Sequence, residues 1–373
     1  GGFAFEDEGD KGKYHILEHY LVGSILENSD YKLQLDGEAD MEGVEFYLTT
    51  TKKGLRDDLK FLIDGLTKPN FKNKKILLKE SEAVQSELEE YLNSKEGETF
   101  WAARGLLLGK DCPYVRTHRE EVKIAKKISL EELGKFYREK FKRGKWTLVV
   151  SAYAPEKNIE HIVEECLGNS FCDEGKKLVY PECEVKTLNE IRKPITNVSG
   201  AYVYFTFPGM SFENSVLERL AINIICSTWL SSNKGQLFKQ LRQSGIYGID
   251  YNTFFFKRMG MVIFSAHVPL AKVDQLTSLV RNGLNDLIAN GVGTEALDDR
   301  KKSDAESWLA EWDSNEERHN WIVQDIVQDG TVYPPEKLTK ILGKINQDSI
   351  QKVIKKIINP NKLSVIVLSG VSA

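Results

Sequence analysis

No apolar run in this chain approaches the roughly 20 residues needed to span a bilayer, and the first residues do not read as a signal peptide. Cysteine is scarce and unpatterned. Cys112, Cys166, Cys172, Cys183 and Cys226 are an odd number, widely spread, with none of the paired spacings of a zinc ribbon or a redox C-x-x-C. They are expected to be reduced thiols, which makes a cytoplasmic location the expectation. Neither sign of charge dominates: 51 Lys and Arg face 55 Asp and Glu, for a net charge of −4. Without a basic field, nucleic acid is not expected as the main partner, and without an apolar span neither is a membrane.

What is present is a globular mixture, 41% hydrophobic and 28% charged over 373 residues, long enough for two domains. Its most informative stretch is His15-Ile16-Leu17-Glu18-His19. Two imidazoles four residues apart on a helix lie on one face and can grip a single metal ion, with Glu18 beside them. Neutral imidazole is a standard zinc ligand, and a catalytic zinc takes three protein ligands with a fourth position left for water. The plain alternative is a helix surface that carries histidines without function. A third ligand has to come from elsewhere in the chain.

In chain order, Gly1 to Asp7 reads as the end of a strand whose beginning is missing, so one or two N-terminal strands are expected to precede it. Lys13 to about Leu26 keeps Ile16, Leu17, Tyr20, Leu21 and Ile25 at helical spacing. Asp36-Gly37 is expected to be a turn, followed by a strand in which Val44, Phe46 and Leu48 alternate with Glu45, Tyr47 and Thr49. Leu55 to Leu66 is a second helix. Pro69-Asn70 breaks it, and Lys75 to about Ser94 is a third. On that helix Glu80 and Glu87 are nearly two turns apart and share a face, so either could complete a zinc site. Glu82, Glu89 and Glu90 read as a solvated face.

Ser129-Leu130-Glu131-Glu132 is a capping box for a helix running to about Phe141, and Trp146 to Ala152 reads as a buried strand. Asp348-Ser349-Ile350-Gln351 opens another helix in the same manner, with Leu363 to Leu368 as the strand after it. The two halves end alike. The strand Ala201 to Phe207 takes the place of the opening strand, the helix Val216 to Leu230 that of the histidine helix, and the helix from about Glu295 to Trp312 that of the Glu80/Glu87 helix. This pattern implies an internal duplication with a period somewhat over 200 residues. The expected domains are 1–167 and 197–373, joined by a polar linker over 168–196. The second copy has no histidine on its equivalent helix, so only the first half is expected to hold the metal.

These residues resemble the pitrilysin (M16) metallopeptidase family, which includes insulysin and the mitochondrial processing peptidase, and whose inverzincin signature is H-x-x-E-H. The resemblance covers nearly the whole chain. It rests on His15 to His19, on Glu80 to Glu87, on the helix-strand endings of both halves, and on Gly235 to Arg242 followed by Gly245-Ile246-Tyr247. It implies an α+β fold of two homologous α/β-sandwich domains, each with helices on a mainly antiparallel sheet (pitrilysin/LuxS-like metallohydrolase type). It also implies a zinc endopeptidase acting on peptides or small unfolded polypeptides in an enclosed chamber. His15, His19 and Glu87 would hold Zn2+, Glu18 would act as general base and Glu80 would support the site. Arg242 and Tyr247 would help bind substrate, and Gly37, Glu38 and Ala39 would lie on the edge strand that receives it.

The chain departs from the family pattern in three places. The Arg242–Tyr247 spacing is short, which leaves Tyr251 as a competitor for the tyrosine role. His19 and Glu87 are separated by only 67 residues. Glu38 stands where family members usually carry an asparagine. A complete protease of this family has four such domains, so a homodimer, or a heterodimer with a related chain, is expected. The rival expectation is a non-catalytic or regulatory scaffold subunit of a heteromeric processing protease.

Overall fold

The computed structural model describes residues 1–29, 34–151, 159–168, 178–230 and 235–370. These divide into two compact units. The first comprises Gly1–Trp101, Asp111–Leu148 and Ala152–Pro181, and the second Ala102–Lys110, Val149–Ser151 and Glu182–Ala373.

The first unit is built on α1 (Lys13–Glu27), which buries Ile16, Leu17, Tyr20 and Leu21 completely. At roughly 1.5–3 kcal/mol for each large apolar side chain removed from water, this face sets where the helix lies. β1 (Gln34–Ala39) and β2 (Val44–Thr49) form an antiparallel hairpin with Leu35 opposite Leu48 and Gly37 opposite Phe46. α2 (Leu55–Thr67) and α3 (Lys74–Asn93) both pack on α1. α3 starts where the Asn73 side chain accepts from the Lys75 and Ile76 amides, an N-cap of the preferred type. α4 (Lys95–Leu108) runs across the division between the units, α5 (His118–Ala125) packs on α3, and α6 (Leu130–Phe136) opens on the expected Ser129/Glu132 capping box. A π turn over Tyr137–Phe141 continues α6, and α7 (Ile159–Leu167) lies on α2.

The N-terminus of α1 has no side-chain cap of its own, because its cap residue is Gly12 at φ +81°. Two conditions favour glycine there: the left-handed backbone and the Glu121 Cβ, 3.0 Å from where a Gly12 Cβ would stand. The buried Glu6 supplies the missing cap. Its carboxylate accepts from the Gly12 and Tyr14 amides, both at 2.8 Å, while burial pushes its pKa up to about 8.

The second unit is a mixed five-stranded sheet in the order β3-β7-β4-β6-β5. Its strands are β3 (Glu190–Ile195), β4 (Ala201–Pro208), β5 (Asp250–Phe255), β6 (Gly260–Val268) and β7 (Ser364–Gly370). β3 pairs parallel with β7, and the other pairings are antiparallel. Among the described residues seven helices accompany the sheet: α8 (Val216–Leu230), α9 (Gln236–Gln243), α10 (Val273–Asn290), α11 (Thr294–Asp313), α12 (Asn315–Asp329), α13 (Pro335–Gly343) and α14 (Gln347–Ile357). α8, α10 and α14 join β4, β6 and β7 in one continuous apolar core.

The structure corrects several expectations. Phe3–Phe5 is a 3-10 turn rather than a strand end, held by the Phe3 and Ala4 amides donating to the Asp40 and Met41 carbonyls. Asp36 and Gly37 lie inside β1; the hairpin turns at residues 40–43, closed by Asp40 N to Gly43 O. Residues 146–151 form no strand. Among the described residues they have no ladder partner, and Trp146 instead packs its ring edge-on against Phe141; Ala152 lies outside the described residues. The stretch read as linker contains β3, whose Pro194 is tolerated at the edge of the sheet; residues 169–177 lie outside the described residues.

α14 is capped by Asn346 with Ser349, two residues ahead of the reading at Asp348. α1, α3, α6, α8, α11 and α14 form where the sequence pattern predicts helices. Among the described residues, however, the first unit has two strands where the second has five, so the two halves are not alike in their sheets. Cys112 and Cys183 are each in a disulfide rather than reduced, and Cys166 and Cys226 are free, which removes the reduced-thiol argument for compartment. Cys172 lies outside the described residues. No helix among the described residues is long and apolar enough to cross a membrane.

Glu6→Ala is expected to lower stability by about 1–3 kcal/mol, since it leaves the Gly12 and Tyr14 amides without their buried acceptor. The midpoint of urea unfolding measures it, and a midpoint equal to that of the parent would remove Glu6 from the account of α1.

Candidate metal centre

The histidine face of α1 opens on a cavity of about 360 Å3 in the first unit. His15, Glu18, His19 and Val22 line it from α1, residues 36–39 from β1, and Glu80 and Glu87 from α3. The two imidazoles meet edge to face, with centroids 4.8 Å apart. Glu87 Oε2 lies 3.2 Å from His15 Nε2 and 3.6 Å from His19 Nε2, so it touches both rings from across the groove. Glu18 Oε2 is 3.7 Å from the same nitrogen of His19. On the far side of that ring, Glu80 Oε2 is 3.6 Å from Nδ1.

Two carboxylates therefore compete for a place beside the histidines. His15, Glu18 and His19 offer donor atoms all within 4.8 Å of one another. Glu87 is nonetheless the better third ligand, because one oxygen reaches both Nε2 atoms while Glu18 is tucked under β1. Two imidazoles and one carboxylate, with room left in the cavity, fit the three-ligand pattern of a catalytic zinc. Glu80 at Nδ1 is placed to fix the tautomer of His19 and leave Nε2 for the metal, as a carboxylate behind a ligating histidine does.

The electrostatics agree with a site for a cation. Burial first, then the charges of Asp36, Glu87, Glu80 and Glu38, push the Glu18 carboxyl up to about 8. Burial and the neighbouring His15 lower His19, so its imidazole is kept neutral, as a ligand must be. The hydrogen bond from His15 holds Glu87 below the usual carboxylate range. Burial, with Asp40 and Glu45 behind it, raises Glu38. Five carboxyl groups line the cavity beside the two imidazoles, an arrangement that favours a cation.

Gly37 earns its position by contact rather than by φ. A Cβ there would collide with Glu18 Oε1 and stand 3.0 Å from its Cδ. Gly23 does the same for Glu80, whose Oε1 would lie 2.7 Å from an added Cβ. Gly37, Glu38 and Ala39 belong to β1, which pairs with β2 on one side only among the described residues. Sequence reasoning missed Asp36 as a lining residue, because it was assigned to a turn. It also missed Glu6, whose pairing with the start of α1 carries no periodic signal.

Arg242 and Tyr247 lie in the second unit. Arg242 ends α9 with its guanidinium 5.6 Å from the Phe238 ring centroid and 6.0 Å from that of Tyr247. Tyr247 is 72% exposed. Tyr251, on β5, packs against the core and is raised by burial. Tyr247 is thus the tyrosine free to meet a ligand.

Residues 127–303 match the family model described as the Peptidase M16 inactive domain. No curated protein matches the chain. The fold is shared with several solved structures. A peptidase M16 inactive domain from Pseudomonas fluorescens aligns with TM-score 0.82 at 13% identity, over 100% of this chain and 91% of that one. A protease from Helicobacter pylori aligns with TM-score 0.80 at 12% identity, over 99% and 91%. A chain of Complex III2 from Candida albicans, solved with Inz-5 bound, aligns with TM-score 0.77 at 12% identity, over 99% and 88%. The chain has the α+β fold of M16 peptidases, with helices packed on a mixed sheet.

Glu87→Gln should strongly reduce zinc content, measured by elemental analysis after incubation with one equivalent of the metal. Full occupancy in that variant would give the third place to Glu18 or to another group.

Proposed function

We propose that the chain is a zinc-dependent endopeptidase of the M16 family. The observation that carries this reading is the meeting of His15 Nε2, His19 Nε2 and Glu87 Oε2 in one cavity that also holds Glu18. Zinc held there would supply Lewis acidity and bring the pKa of a water down towards ~7. Glu18 takes the proton of the attacking water and later passes it to the leaving amine, work suited to a carboxyl whose affinity for protons is raised. Glu80 keeps His19 oriented. A peptide adds as a strand to the open side of β1, where main-chain hydrogen bonds hold it with little sequence demand and Gly37 leaves its backbone close to Glu18.

A second reading, a scaffold subunit without catalysis, is favoured by the inactive-domain match and by the Candida albicans Complex III2 chain. The matched segment begins at residue 127 and leaves every proposed zinc donor outside it. A chain that takes up no zinc and cleaves no member of a mixed peptide library would be a scaffold.

Glu18→Gln is expected to keep its zinc and lose activity by about 10²–10⁴-fold, the usual worth of a positioned general base. Near-normal turnover in a zinc-loaded Glu18→Gln chain would sink the mechanism.

Arg242 and Tyr247 are proposed to act on substrate held at the zinc site of a second chain, in a homodimer or in a heterodimer with a related chain, whose closed chamber admits peptides and excludes folded proteins. In a homodimer, mixing Glu18→Gln with Arg242→Ala chains should restore activity, since one composite site of the mixed dimer carries neither lesion. Mixed dimers that form and stay as inactive as their parents would place the whole site in one chain.

A further inference from the structure

The second unit holds a separate cavity of about 420 Å3, between α8, α11, α12 and β5. Its walls are aromatic. Trp308 of α11 and Trp321 of α12 meet edge to face, with centroids 6.4 Å apart and planes at 80°. Trp321 is held in place: its Nε1 donates to Asp325 Oδ2 at 3.1 Å, and the same oxygen accepts the Tyr333 amide at 2.6 Å. Both indoles stay half-buried, and α12 has no fully buried residue although it carries Ile322, Val323, Ile326 and Val327. A helix that closes a packed core would bury such residues. This one sets Trp321 in the cavity wall, where it also meets Trp312 edge to face at 5.6 Å.

The charge of the lining is one-sided. Glu311, Glu317, Asp325 and Asp329 line the cavity against one cation, Arg219. That cation is committed: its guanidinium pairs with Asp329, donates to the Phe212 and Asn214 carbonyls, and lies 4.9 Å from the Phe212 ring centroid. Asp325 is occupied by Trp321 and Tyr333, and Glu311 accepts from Ser307. Glu317 is exposed, and among the described residues its carboxylate has no ion-pair partner. Two perpendicular indoles together with the unspent Glu317 carboxylate suit an organic cation with a flat face and N–H donors.

We propose that this cavity binds an arginine side chain of a peptide ligand, with its guanidinium against an indole face and its N–H groups donated to the cavity carboxylates. A quaternary ammonium has no N–H to give these acceptors, and an alkylammonium has no plane to stack. The guanidinium has both. The site lies wholly within the second unit and is independent of the zinc reading.

Isothermal titration calorimetry of the full chain tests it, with N-acetyl-arginine amide, its neutral isostere N-acetyl-citrulline amide, and N-acetyl-lysine amide as probes. The arginine probe should bind at least about tenfold more tightly than citrulline and more tightly than lysine. Its affinity should fall at least about fivefold in Glu317→Gln, a change at an exposed helix position that leaves folding intact, and in Trp321→Leu. Equal affinity for arginine and citrulline would overturn the proposal. So would equal affinity for lysine, or arginine binding that survives in Glu317→Gln.

Discussion

The packing of α1 against α3 is the interaction on which the rest of the first unit depends. Ile16, Leu17, Tyr20 and Leu21 of α1 and Val84 and Leu88 of α3 share one core, and that contact fixes both helices. Once they are fixed, the polar edge of α1 must face the edge of α3 that carries Glu80 and Glu87. Those carboxylates are seven residues apart, close to two turns. They bracket His19, one at Nδ1 and the other at Nε2, both at 3.6 Å. A slip of one helix by a single residue would swing a carboxylate some 100° away from the ring it meets. Apolar packing therefore sets the geometry of the imidazole and carboxylate cluster, and the absence of side chains at Gly23 and Gly37 lets the carboxylates approach.

Much of this was legible because helices announce themselves locally. The 3.6-residue pattern located α1, α2, α3 and α8 to within about one residue, and Ser129/Glu132 marked the start of α6. Strands were harder to place, since a ladder depends on a partner far along the chain. Trp146 to Ser151 has a strand's composition, yet among the described residues it has no ladder partner. Glu190 to Ile195, broken by Pro194, looked like linker until β7 supplied its hydrogen bonds. The Asp36-Gly37 dipeptide carried a turn's chemistry, but its glycine answers the closeness of Glu18, a tertiary fact that no local rule contains.

The donors at the site were legible for a different reason. His15, Glu18 and His19 lie within five residues, so their convergence is a property of one helix. Glu87 came from a resemblance, and the structure brings it into contact with both rings. Glu6 and Asp36 gave no such signal. One reaches the start of α1 across a loop, and the other faces the cavity only because β1 runs through it.

Fold likeness and site chemistry come from different parts of this chain. The inactive-domain match spans 127–303, while the imidazoles and carboxylates of the cavity all precede residue 88. A shared fold hosts both proteases and subunits without catalysis, so the question of function falls to the donor set. Glu18, Asp36, Glu38, Glu80 and Glu87 line one cavity, and burial first, then the charges of the other four, raises Glu18 to about 8. Replacing any of them by a neutral side chain would relieve that repulsion in a protein that used the fold only as a scaffold. A divalent cation relieves it as well, while drawing on the neutral imidazole of His19 and the low-lying carboxylate of Glu87. The donor set therefore has the chemistry of a cation site.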